Sequence, residues 1–141
     1  MPIRAGMTAS DVNAAIAGTF PALLGITYVE VGPGRAVATL EVRGDLMAPT
    51  NGLLHGGVLV TLGDSACGVG AALSLPDGAR GHATAELKTN FLAPTRGGRL
   101  RCEARLVHGG RSTQVWDATV MDEQTGKPVA VFRCTQLVFR D

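Results

Sequence analysis

Between Gly56 and Ser74 the chain carries a single charged residue, Asp64, in a run otherwise made of apolar and small side chains. Val58, Leu59, Leu62, Ala66, Val69 and Leu73 recur at helical spacing, and the other faces are mostly glycine, alanine and serine. This predicts a helix that is apolar nearly all round, and such a helix must be covered on more than one side. Gly57, Gly63, Gly68 and Gly70 each cost up to roughly 1 kcal/mol relative to alanine, so packing has to compensate. The expected gain is close approach of another backbone. A membrane span would also cover all faces, but Asp64 and the glycines interrupt the run in the wrong way for one.

The rest of the chain supplies the cover. Ile26–Val31 and Arg35–Val42 flank Gly32-Pro33-Gly34 and read as a hairpin. Met47–Leu54, broken by Pro49 and Gly52, reads as a loop. Beyond the turn at Leu75-Pro76-Asp77-Gly78, four runs alternate in period two: His82–Leu92, Leu100–Val107, Thr113–Met121 and Val129–Phe139. Their short connections, including the one near Pro94–Gly98, favour antiparallel neighbours. Near the N-terminus, Thr8 or Ser10 caps a short helix through Ala17 in which Val12, Ile16 and Phe20 share a face, with Gly18 and Pro21 ending it. The expected architecture is α+β: one long central helix wrapped by a curved antiparallel sheet of about six strands, plus a short N-terminal helix. At 141 residues the chain fits a single domain spanning 1–141.

Charge narrows the range of partners. Thirteen Lys and Arg against twelve Asp and Glu leave a net charge of +1, so nothing draws the protein toward nucleic acid or an anionic membrane, and an anionic ligand must be held locally. Cys67, Cys102 and Cys134 are odd in number and lack ligand spacing, which argues against disulfides and structural zinc. His55, His82 and His108 are similarly scattered, so no metal and no cofactor is expected. With no basic and apolar leader at the N-terminus, the cytoplasm is the expected compartment.

Asp64 is the most informative residue, because a carboxylate among apolar neighbours loses hydration unless something specific stabilises it. It is either a hydrogen-bonded structural aspartate or a reacting group. Gly56 and Gly57 lie where the helix begins, and the first turn presents free N–H groups backed by the positive end of the helix dipole. Glycine there lets a carbonyl oxygen approach the backbone, in the manner of an oxyanion hole; a plain tight junction is the other reading. His55 is a general base or a brace for the loop, and Cys67, among alanines and glycines, is inert core. The eight residues from Gly56 to Asp64 span roughly 12 Å along a helix axis, too far for one small reaction centre to touch both. If both serve one carbonyl, the second comes from another subunit whose helix runs antiparallel alongside, giving a symmetric dimer with two interfacial sites.

Asn51-Gly52-Leu53-Leu54-His55-Gly56-Gly57, then Leu62-Gly63-Asp64, then Ala85–Pro94 resemble the PaaI-like, phenylacetate-degradation type of hotdog-fold thioesterase. The likeness covers most of the chain. It implies hydrolysis of an acyl-coenzyme A thioester, with Asp64 as nucleophile or general base and the Gly56 N–H polarising the carbonyl. It implies that Thr84 holds the attacking water, that no metal is used, and that homodimers with interfacial sites pair into a homotetramer. One departure stands out: where the family often has Asn or Gln six residues before the HGG histidine, this chain has Pro49. Asn51 is the candidate replacement, beside His55 and Gly57 as substrate-binding residues. Arg111 and Ser112, after Gly109-Gly110, resemble the region that contacts the coenzyme nucleotide, and Arg96 is a weaker candidate. A noncatalytic acyl-coenzyme A binding or regulatory protein is the rival from another class, since the fold hosts both. A hotdog dehydratase or hydratase needs a differently arranged His and acid.

Overall fold

A computed structural model, describing residues 1–141, turns the sparsely charged run into α3 (Gly56–Leu73). The helix starts where His55 caps it, with the Gly57 N–H donating to His55 Nδ1 at 2.9 Å. The six residues of the expected apolar stripe are all buried. Length and apolarity of this kind would also suit a membrane crossing, but here they serve the protein's own core.

Six strands surround it: β1 (Thr27–Gly32), β2 (Arg35–Glu41), β3 (Gly81–Phe91), β4 (Arg99–Gly109), β5 (Thr113–Asp122) and β6 (Pro128–Phe139). They form one antiparallel sheet in the order β1-β2-β4-β5-β6-β3, and α3 packs against every strand of it. This is the hotdog arrangement, with the helix as the filling. The helix glycines explain how closely the sheet wraps, though the neighbour is not the backbone that the sequence led us to expect. A Cβ on Gly70 would lie 2.6 Å from the Trp116 ring, and one on Gly63 would lie 2.9 Å from Phe132, so aromatic side chains of β5 and β6 fill the space.

The short link between β3 and β4 also behaves differently from expectation. These strands are not neighbours; Leu92–Gly98 instead crosses the end of the sheet past β6 and β5. A chain of that length can reach three strand spacings when extended. It is held there by backbone hydrogen bonds from Leu92 to Val129 O at 2.8 Å and from Leu54 to Thr95 O at 2.8 Å. The link therefore lies beside the start of α3, and β3 is left as an edge strand.

At the N-terminus, Thr8 and Asp11 form a reciprocal capping box for α1 (Ala9–Ile16), whose Val12 and Ile16 are buried. Phe20 does not continue that face. Gly18, at φ +77°, turns the chain, and a second helix, α2 (Phe20–Leu23), begins with Pro21 in its first turn, leaving Phe20 60% exposed. Proline therefore starts a helix here rather than ending one, because the first turn needs no N–H from it. The three cysteines are free and buried. Burial pushes the Cys102 thiol up to about 12, and a hydrogen bond with Cys134 together with burial raises Cys67 further, which suits inert core thiols.

Candidate active site

Asp64 sits midway along α3, half-buried, and its carboxylate is held by β3: the Thr84 hydroxyl donates to Asp64 Oδ1 at 2.8 Å. Thr84 faces the helix because β3 alternates, and Gln136 faces it from the register-paired position on β6. Gln136 Nε2 donates to Thr84 Oγ1 at 2.9 Å, while Gln136 Oε1 meets His82 Nδ1 at 3.0 Å. Three strand residues thus converge behind one helix carboxylate. In front of it lies a cavity of about 590 Å³, lined by Asp64, Thr84, His82 and Gly68 together with apolar residues such as Ile16 and Val69.

The beginning of α3 opens elsewhere. Gly56, Leu59, Asn51, Phe91 and Pro94 line a second cavity of about 540 Å³ that shares no lining residue with the first. Of the amides there, the Gly57 N–H is taken by His55, the Val58 N–H by His55 O and the His55 N–H by Leu46 O. The Gly56 N–H enters none of the chain's internal hydrogen bonds, so it is the free donor at this end of the helix. Glycine also leaves room here, since a Cβ at residue 56 would stand 2.9 Å from the tip of the exposed Phe91 ring, which would have to swing aside. The two features that the sequence joined as one motif therefore face different spaces.

A family model described as the thioesterase superfamily matches residues 51–129, a stretch that runs from Asn51 through Asp64 and Thr84 to Arg111 and beyond. The chain belongs to this superfamily. It is a thioester hydrolase of the PaaI-like, hotdog-fold kind. A 1,4-dihydroxy-2-naphthoyl-CoA hydrolase from Listeria monocytogenes is 41% identical over 79% of this chain and 89% of its own length. Among solved structures, a thioesterase from Haemophilus influenzae superposes with a TM-score of 0.89 at 28% identity, covering 99% of this chain and 96% of the other. The PaaI protein of the E. coli phenylacetic acid degradation operon does so with a TM-score of 0.81 at 26% identity, covering 92% and 91%.

In this thioesterase the remaining candidates fall in four places. Asn51 lies in the Gly56 cavity, but its Oδ1 accepts the Leu53 N–H at 3.1 Å, which leaves its side-chain amide nitrogen as the uncommitted donor. His55 is occupied at Nδ1 as a helix cap, so bracing rather than proton transfer is the role its geometry displays. Arg111 and Ser112 are exposed in the β4–β5 turn and line neither cavity; their carbonyls accept from Arg140 Nε at 3.1 Å and the Val138 N–H at 2.9 Å. Arg96 lies in the β3–β4 link and donates to Asn51 O at 3.4 Å.

Sequence reading singled out Asp64 and Thr84, which the structure brings together, but not Gln136, and it treated His82 only as one of three scattered histidines. A signal was present for Gln136, which interrupts the inward row Ala130, Phe132, Cys134 and Val138 of β6 with a polar side chain. Its partner could not be read without knowing that β6 pairs with β3.

Proposed function

We propose that this thioesterase hydrolyses acyl-coenzyme A at sites completed by two subunits, each site combining the Gly56 N–H of one with Asp64 of the other. The observation that carries the reading is the pair of separate cavities: the free backbone donor and the buttressed carboxylate open into different spaces of one chain. A second subunit placing its α3 antiparallel alongside would set one end against the other. Edge strand β3 supports such an arrangement, because its helix-side residues Leu87 and Phe91 are 39% and 56% exposed beside an unpaired strand edge. The dimers pair further into a tetramer, which light scattering would test.

In the assembled site the Gly56 N–H donates to the thioester carbonyl oxygen and stabilises the charge that develops there. Asn51 assists through its free amide nitrogen, in the role that Pro49 cannot fill. Asp64, held at Oδ1 by Thr84, presents Oδ2. Either Oδ2 attacks the carbonyl carbon, the C–S bond breaks and water cleaves the resulting anhydride, or Oδ2 takes a proton from the attacking water and that proton ends on the departing thiolate. Single turnover in heavy-oxygen water separates the two routes, since only the first places an oxygen of Asp64 in the initial product. The acyl group occupies the Asp64 cavity, and Arg111 and Ser112 take the coenzyme phosphates. The free cysteines suit a reducing compartment such as the cytoplasm.

Subunit complementation tests the two-subunit site. Asp64→Asn and Gly56→Pro homo-oligomers should each be nearly inactive, while a refolded equal mixture recovers about a quarter of wild-type activity, because half the dimers are mixed and each has one intact site. No recovery from a mixture shown to contain mixed dimers would sink the arrangement.

A further inference from the structure

We propose that Gln136 and His82 are positioning residues of this thioesterase, which hold Asp64 in its reactive orientation by imposing one direction on a chain of three hydrogen bonds. The proposal rests on Asp64 being the reacting carboxylate. A carboxylate accepts only, so the Thr84 hydroxyl must give its single proton to Asp64 Oδ1. Thr84 Oγ1 then needs a donor behind it, which places the Nε2 edge of the Gln136 amide against Thr84 at 2.9 Å. The Oε1 edge consequently faces His82, whose Nδ1 carries the proton at 3.0 Å. Every bond in the chain therefore points toward Asp64.

Gln136 is wholly buried in the apolar inner row of β6, where an amide is costly unless all its polar atoms are satisfied. Its partners are Thr84, His82 and the Cys134 sulfur at 3.3 Å. Gln114, its register neighbour on β5, is equally buried but serves only the scaffold, accepting from Trp116 Nε1 at 2.8 Å and donating to Ser74 O at 2.9 Å. Of these two buried glutamines, one is tied to packing and the other is tied to Asp64. A consequence follows for Thr84: with its proton on Asp64 and a lone pair engaged by Gln136, its hydroxyl cannot donate to water. Thr84 can meet a water only as an acceptor, through its remaining lone pair, and its proton serves to orient the carboxylate.

The test is a coupling measurement with acyl-coenzyme A substrates. Gln136→Met keeps the volume and should lower kcat about tenfold with KM within about twofold. In a Thr84→Val background it should cause no further loss, because Gln136 acts through Thr84. Gln114→Met should lower the melting temperature and leave kcat unchanged. His82→Ala should lower kcat roughly threefold, and His82→Asn, whose amide nitrogen can stand where Nδ1 stands, should restore it. Wild-type kcat in Gln136→Met, or an undiminished loss in the Thr84→Val background, overturns the proposal. If Gln136→Met does not fold, the His82 pair decides: loss with rescue supports the relay, and unchanged kcat in His82→Ala overturns it. Asp64→Asn, measured alongside, separates the two readings, since an active Asp64→Asn removes the premise whereas an inactive one beside a fully active Gln136→Met removes only the relay.

Discussion

The middle and the start of α3 solve opposite problems with opposite materials. At the middle, a carboxylate has to be held in one orientation beside a mixed cavity, and it is backed by three side chains from two strands. At the start, the proposed donor is a backbone N–H, and the structure only has to leave it free and uncovered, which Gly56 does by having no side chain to meet Phe91. A side-chain carboxylate requires support because its rotamer is otherwise free. A helix-terminal amide is oriented by the helix itself.

Breaking the first half is the larger expected effect. Asp64→Asn removes the proposed reacting charge in a nearly isosteric way and should reduce kcat on the order of a thousandfold without changing the melting temperature much, as measured by thiol release across aryl and aliphatic coenzyme A esters. Breaking the second half requires removing an N–H, which proline can do. Residue 56 is the first residue of α3, where proline is tolerated, and His55 already sits at φ −62°, ψ 130°, a conformation that suits a following proline. Gly56→Pro should cost about a hundredfold or more in kcat, and Gly56→Ala, which retains the N–H, separates donor loss from crowding against Phe91.

Thr84→Val tests the support rather than the acid and should fall well short of Asp64→Asn, with about a tenfold loss in kcat. A loss equal to that of Asp64→Asn would mean that Thr84 contacts the reacting atoms itself. The smallest effect belongs to the cap. His55→Ala deprives the Gly57 N–H of its acceptor and should destabilise the fold by about 1 kcal/mol in denaturant titration, with a modest change in kcat. A collapse of kcat at unchanged stability would instead assign His55 a direct chemical role.

Much of the architecture was legible because its causes are local. The inner residues of α3, the capping box at Thr8 and Asp11, and the alternation of β4, β5 and β6 all report on neighbours within a few positions. The misreadings occurred where a local rule met a distant constraint. Pro21 opened α2, since only its place after Gly18 decided its role, and the Leu92–Gly98 link crossed the sheet because β6 had already paired with β3. Asp64 and Gly56 were legible as candidates because a lone charge and a glycine pair stand out against an apolar run. Gln136 was not, because its meaning depends on a partner 52 residues away.

By itself, then, the sequence determined that α3 forms the core, since a run with one charge has to bury most of its surface, and that Gly56 and Asp64 stand too far apart along one helix to meet at one carbonyl, since the rise of a helix is set by its backbone. Tertiary structure alone decided what stands behind Asp64 and which strand is left at the edge. Strand pairing and register bring together residues that no period along the chain connects, and a pattern of two or of 3.6 carries no record of which strands will meet.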